Sequence, residues 1–257
     1  MNQAGKPLLA GIISQTNLLK AEMEPKSLLR SNLLLCDALE IRYDLFESVS
    51  DWPLLAARVR SIQPQSKIIG TIRLKSDGGC FDDAMIDERL MLWESILNAS
   101  VVPDWLDFEE LSLSSELDLK SKAERRGTKI FVSKHDFHKI PSSQELLRLA
   151  DTAEKAGACG IKVAAMSFCE GDSAPLYEFL KGGAGRFEWR AAFAMGESGS
   201  ASRVWSLCAG ANLTYGNISD VSVPGLLSVK TMRSAIDHMS YCETESELGL
   251  FIKNLPD

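Results

Sequence analysis

The residues that are absent from this chain, or scattered through it, remove several classes of function. The six cysteines stand at positions 36, 80, 159, 169, 208 and 242, and no two form a CxxC pair. Such scatter argues against a zinc centre or a small disulfide scaffold and suits a reducing cytosol. Basic residues are outnumbered, 28 Lys+Arg against 35 Asp+Glu, which leaves a formal net charge of −7. No local basic run reverses that balance, so nucleic acid and anionic membrane surfaces are poor partners. No hydrophobic run approaches membrane-spanning length, and the apolar stretch in "MNQAGKPLLAGIISQ" is too short for a signal peptide. A cytoplasmic location is the expectation. The first apolar run leads into "GIISQTNLLK", without the glycine-rich fingerprint of a doubly wound dinucleotide fold.

What is present is an ordinary globular balance, 45% hydrophobic and 25% charged residues over 257 positions. No linker or low-complexity tract divides it, so one domain over 1–257 is expected. Short β-rich runs recur: "LLAGII" (8–13), "LEIRYD" (39–44), "KIIGTIR" (67–73), "WLDFEE" (105–110), "KIFVSKHD" (129–136), "GIKVAAM" (160–166), "RAAFAM" (190–195) and "ANLTYG" (211–216). Between them the apolar residues take helical spacing, as in "DERLMLWESILN" (87–98) and "SSQELLRLADTAEKAG" (142–157). Pro141 and Ser142 announce the second of these helices and Gly157 ends it. In "SASRVWSLCAG" a serine is available to cap another. Eight strands alternating with helices in a chain of this length predict a (β/α)₈ TIM barrel, with a doubly wound open sheet as the rival.

In such a barrel the C-terminal strand ends surround one mouth, and residues two apart on a strand share a face. That rule gathers Glu40, Arg42 and Asp44 on the second strand, Thr71 and Arg73 on the third, and Asp107 and Glu109 on the fourth. Ser133 and His135 fall together on the fifth strand, and Lys162 lies on the sixth. Lys162 is the odd member, because no charged residue flanks it in "GACGIKVAAM". Two readings remain open from spacing alone. The stem threads past apolar neighbours to water, or the amine is buried for chemistry.

These polar residues lie in segments that resemble the type I 3-dehydroquinate dehydratases. The resemblance rests on "EIRYD" (40–44), "GTIRLKSDGG" (70–79), "PDWLDFE" (103–109), "SKHDF" (133–137), "GIKVA" (160–164), "MGESGSASR" (195–203), "LTYG" (213–216) and "SVPG" (222–225), all in family order. It implies a (β/α)₈ barrel that converts 3-dehydroquinate to 3-dehydroshikimate and water in the shikimate pathway, as a homodimer, with no metal and no organic cofactor. Lys162 matches the imine-forming lysine, and an apolar cage of Ile161, Val163 and Ala164 is expected to favour its neutral amine. His135 matches the general base and acid. Asp77 takes the place of the carboxylate that orients it, usually a glutamate in the family. His138 reads as a loop residue, since no carboxylate or cysteine pattern around it supports a metal. The same resemblance carries carboxylate binding onto Arg203, and substrate hydroxyl and charge contacts onto Glu40, Arg42 and Arg73. Ser222 in the last loop also matches. At Leu226 the family usually has a glutamine that reaches the substrate as a lid closes, and leucine offers no hydrogen bond.

Two rival functions are carried forward. "GESGSAS" also suits a phosphate at a helix N-terminus, as in a class I aldolase acting on a sugar phosphate. The departures at Asp77 and Leu226 are the features that favour a barrel with a pocket but little turnover.

Overall fold

Strands whose side chains alternate between two apolar environments need a layer on each face, and a barrel supplies both. The computed structural model describes residues 6–169, 171–219 and 225–238. Its strands are β1 (Leu8–Ile13), β2 (Ala38–Arg42), β3 (Lys67–Thr71), β4 (Trp105–Glu109), β5 (Lys129–Asp136), β6 (Gly160–Met166), β7 (Trp189–Met195) and β8 (Leu213–Tyr215). All pair in parallel in the spatial order 7-6-5-4-3-2-1-8, with helices between successive strands. The architecture is the expected (β/α)₈ barrel.

No strand ladder joins β7 to β8 among the described residues, and Asn212 stitches that seam instead. Its backbone N–H donates to the Arg190 carbonyl at 3.0 Å, while its side chain accepts from the Arg190 N–H at 2.7 Å. The same amide donates to the Glu188 carbonyl at 2.7 Å, so both sides of the gap are satisfied.

The outward-facing residues of the strands, such as Leu39, Ile41, Leu106, Phe108, Ile161 and Val163, pack under the helices. Inside the barrel a separate apolar plug of Ala10, Ala38, Ile69, Trp105, Phe131, Ala191 and Leu213 fills the lower end. Trp105 meets Phe131 and Trp189 with ring centroids 5.5 and 5.1 Å apart. Two residues further along β2 to β6 the interior turns polar, with Glu40, Thr71, Asp107, Ser133 and Lys162. Apolar burial below thus forms the floor on which the charged residues stand.

Local expectations hold in part. Ser142 closes a capping box with Glu145 at the start of the helix Ser143–Lys155. β2 stops at Arg42 rather than at Asp44, because the chain tightens into a 3₁₀ turn over Tyr43–Leu45 that buries Tyr43 against Trp52 and Trp93. No serine caps the helix Ser202–Ala209, which starts after Ala201. The Ser202 hydroxyl instead accepts the Ala194 N–H of β7 at 2.7 Å, tying the helix to the barrel wall.

Gly160 opens β6 two residues before Lys162, and a methyl group there would run into the Phe131 ring in the plug. Gly160→Ala is therefore an overpacking substitution that should destabilise the barrel by about 1–3 kcal/mol. A lowered urea midpoint with an unchanged m-value is the expected result.

Candidate active site

The polar ring above the plug is built by register. β2 places Arg42 opposite Thr71, β3 places Thr71 opposite Asp107, and β4 places Glu109 opposite Ser133. β5 then sets Ser133 opposite Lys162. One step along each strand would have turned every one of these side chains out toward the helices.

Arg73, just past the end of β3, reaches back into the barrel and is 2% exposed. Its guanidinium donates to Asp107 at 2.6 Å, Ser133 at 2.8 Å, Asp77 at 3.1 Å and Glu109 at 3.2 Å. Glu109 is held further by the Leu74 N–H at 3.2 Å and by Arg89. The fork geometry and permanent charge of arginine suit this cluster of acceptors.

Lys162 is 4% exposed, and its ammonium has two carboxylate partners. Nζ lies 3.0 Å from Glu40 and 3.2 Å from Asp107, and 4.5 Å from the centroid of the Tyr215 ring. The apolar cage expected from the flanking residues is not what surrounds it. Ile161 and Val163 point outward into the helix-facing core, because neighbours on a strand face opposite ways. The partners come from other strands. Burial opposes the charge on Glu40, but Lys162, Arg73 and Arg42 outweigh it and hold that carboxyl below the usual carboxylate value. Asp107 is also held well below its ordinary value, with Arg73 and Lys162 overcoming its burial. Burial and the charges of Glu40 and Asp107 push the Tyr215 phenol well above 10.

His135 stands one strand away from Lys162. Its Nδ1 lies 2.7 Å from one Asp77 oxygen, and its backbone N–H donates to the other at 3.2 Å. Asp77, although shorter than the family's usual glutamate, thus meets the imidazole directly. The 3₁₀ turn Lys75–Asp77 carries it inward. Burial and the Arg73 and Lys162 charges hold the imidazole below its ordinary 6.5, against the pull of Asp77. It is therefore neutral at physiological pH, with the ring nitrogen not facing Asp77 available as a base.

The remaining expected residues divide. Arg42 forms a bidentate pair with Asp44 at 2.8 and 2.7 Å. Asp44 in turn accepts the backbone N–H groups of Arg73 and Cys80, so it ties Arg42 to the loop that carries Asp77. Arg203 lies 4.2 Å over the Phe193 ring, and its Nε donates to the Gly225 carbonyl at 3.1 Å. No carboxylate pairs with it among the described residues. Burial lowers its guanidinium to about 10, which still leaves it cationic at neutral pH. Gly225 has φ +73° and packs so closely on Gly196 that a side chain there would strike the Gly196 carbonyl. Leu226 lines the mouth; Ser222 lies outside the described residues. His138 is an exposed loop residue whose N–H bonds to Asp136.

Lys162, His135, Asp77, Glu40, Arg42, Arg73, Arg203 and Leu226 all border one cleft of about 190 Å³, with Phe137, Phe193, Met195 and Tyr215. That volume suits a small ring rather than a nucleotide. Sequence reading noted Asp107 and Glu109 only as polar strand residues, and it missed Arg89. The signal for Arg89 was its helical spacing with the buried Trp93 and Ile96, which puts it on the inward face. Among the described residues no group of His, Cys, Asp and Glu is arranged to hold a metal ion, and no helix is long and apolar enough to cross a membrane.

The unfolded chain binds a proton on histidine near 6.5, where the folded protein resists it. Between the lowered folded value and about 6.5 the unfolded state holds more protons, so His135 makes stability fall as pH drops through that window. A ¹H NMR titration should give His135 a midpoint below that of a free imidazole. His135→Asn should flatten the loss of urea resistance between about pH 7 and about pH 5.5.

The family model for type I 3-dehydroquinase matches residues 18–241. A 3-dehydroquinate dehydratase of Klebsiella pneumoniae (strain 342) is 27% identical over 210 residues, covering 79% of this chain and 83% of that protein. One from Methanococcoides burtonii is 29% identical over 208 residues, covering 79% and 84%. Among solved structures, a type I 3-dehydroquinate dehydratase from Clostridium difficile, with covalently modified comenic acid, superimposes with TM-score 0.80 at 23% identity. That match covers 93% of this chain and 94% of the other. A 3-dehydroquinate dehydratase from Geobacillus kaustophilus gives 0.78 at 24% identity, covering 92% and 93%.

Proposed function

The chain belongs to the type I 3-dehydroquinase family, and on that premise we propose that it is a 3-dehydroquinate dehydratase working through an imine on Lys162. The observation that carries this reading is one cleft holding a buried lysine ammonium, a neutral histidine bonded to a carboxylate, and a buried arginine with no carboxylate partner among the described residues.

In the proposed reaction the Lys162 amine adds to the substrate ketone, and the oxygen leaves as water to give a protonated imine. That imine draws electrons from the neighbouring carbon and acidifies its C–H bond. His135, held by Asp77, takes the proton and later delivers it to the departing hydroxyl. Arg203, with no acidic partner among the described residues, suits the substrate carboxylate as a directional partner. Glu40 and Arg42 line the same cleft and suit the ring hydroxyls. Ser222 keeps only the role implied by resemblance. A place in the shikimate pathway, a cytoplasmic location and a homodimer belong to the same reading. Cys36, Cys80, Cys159 and Cys169 are free thiols, as a reducing compartment would keep them.

Direct contact between Asp77 and His135 weighs against a barrel without turnover, and Leu226 is the departure that still favours one. It sits on the cleft wall with Ile12, Phe193 and Met195, which makes that side apolar.

Borohydride added with 3-dehydroquinate should leave a stable adduct on the peptide containing Lys162. An adduct on another lysine, or none, would overturn the proposal. His135→Ala should lower kcat by about 10²–10⁴-fold while leaving adduct formation possible. Turnover within about threefold of the parent would make His135 structural.

Leu226→Gln should restore one hydrogen bond to the substrate. A net gain of about 0.5–1.5 kcal/mol corresponds to a rise in kcat/KM of roughly two- to tenfold. A fall in kcat/KM would instead mean that the apolar wall contacts the ligand, and that the substrate differs from 3-dehydroquinate.

A further inference from the structure

Asp107 carries no role in the reading above, yet it touches the reacting nitrogen. Its Oδ2 lies 3.2 Å from Lys162 Nζ and 2.6 Å from the Arg73 guanidinium. Its Oδ1 is buried and accepts no hydrogen bond among the described residues. A carboxylate 1% exposed, with one oxygen unsatisfied, is costly to keep unless its charge is needed where it stands.

Resting on the proposed imine chemistry, we infer that Asp107 is a further catalytic residue, the counter-ion that keeps the Lys162 nitrogen protonated while it serves as the electron sink.

Following the charge through the reaction shows why the position matters. Ammonium plus ketone gives protonated imine plus water. One C–N bond forms, the C–O bond breaks, two protons pass from nitrogen to the departing oxygen, and the single positive charge stays on nitrogen. When His135 takes the α-proton, the C–H electron pair moves toward nitrogen, leaving a neutral enamine and an imidazolium. Loss of the hydroxyl, protonated by that imidazolium, returns the positive charge to nitrogen. The charge thus shuttles between two sites, and each has its own fixed carboxylate. Asp107 stands at the nitrogen and Asp77 at the imidazole.

Arg73 bonds both carboxylates, through Nη2 to Asp107 and Nη1 to Asp77, so the two anions are locked at a fixed separation. A preorganised anion of this kind needs no reorganisation when the charge arrives. The groups facing the nitrogen are Glu40 of β2, Arg73 after β3, Asp107 of β4 and Tyr215 of β8, with His135 of β5 across the cleft. Glu40 lines the open cleft where the ligand enters, whereas Asp107 does not line it. Asp107 is therefore the anion that stays in place when substrate occupies the mouth.

Asp107→Asn keeps the shape and removes the charge. In the parent, borohydride trapping of 3-dehydroquinate on Lys162 serves as the control; if the parent itself traps nothing, the imine reading fails first and separately. With the parent trapping, the variant should lose adduct toward alkaline pH at least about one unit earlier, because the unpaired protonated imine gives up its proton more easily. Its kcat should fall by about 10²-fold, with KM changed much less. An unchanged pH profile of trapping, with kcat within about threefold of the parent, would overturn the inference. If circular dichroism shows that the asparagine variant does not fold, Asp107→Glu decides. A retained but displaced charge should keep the trapping profile within about half a pH unit while kcat falls at least about tenfold. Loss of trapping at every pH in that variant would overturn the inference too.

Discussion

The site depends on burying one guanidinium. Arg73 is almost wholly removed from water and surrounded by Asp77, Asp107 and Glu109, with the Ser133 hydroxyl completing its fork. A lone buried cation would be prohibitively expensive, and so would three buried carboxylates without a cation. Together they are tolerable, and each carboxylate has a lone pair left for a second partner. Asp77 spends it on His135, Asp107 on Lys162, and Glu109 on Arg89 and the Leu74 N–H. The relative positions of lysine and histidine are thus set through one planar group rather than by two independent loops.

A further consequence is that the cleft is charged unevenly. On the side of β2 to β6, cations and anions interleave, so no large net field remains. Across the mouth, Arg203 lies over Phe193 and donates to a carbonyl, with no carboxylate partner among the described residues, and burial lowers its guanidinium to about 10. An anion placed there meets a cation that has already lost its water, which favours a directional contact over a screened one. Ile12, Phe193, Met195 and Leu226 make the neighbouring wall apolar. A ligand with a carboxylate, a polyhydroxylated edge and a bare hydrocarbon edge matches all three surfaces, which is the chemistry proposed for this chain.

Much of this was legible in the residues. The eight β runs stood within a few positions of the observed strands, and period-two alternation put Glu40 with Arg42, Asp107 with Glu109 and Ser133 with His135 on shared strand faces. Side-chain alternation is a property of the local backbone, so it can be read without knowing what lies opposite. The ordered motifs placed the catalytic candidates at strand ends for the same local reason. Errors appeared where a local rule met a tertiary demand. β2 yields to a 3₁₀ turn that buries Tyr43, and no serine caps the helix Ser202–Ala209, whose first residue bonds the wall of β7 instead.

Electrostatic partnership was the part that no local rule contained. In the sequence Lys162 stands among apolar neighbours and looks unpaired, yet its two anions arrive from residues 122 and 55 positions away. Ile161 and Val163, the neighbours that suggested an apolar cage, face the other side of the sheet. Asp77, one methylene shorter than the glutamate the resemblance implies, is carried by the turn at Lys75–Asp77 to 2.7 Å from the imidazole, a contact that its place in the sequence does not reveal. The sequence by itself determined which side chains face inward and what chemistry they carry, because hydrophobic patterning and alternation act over a few residues. Which charge meets which was decided only by closing the barrel, since Coulomb and hydrogen-bond energies depend on distances of a few ångströms between strands that are far apart in the chain.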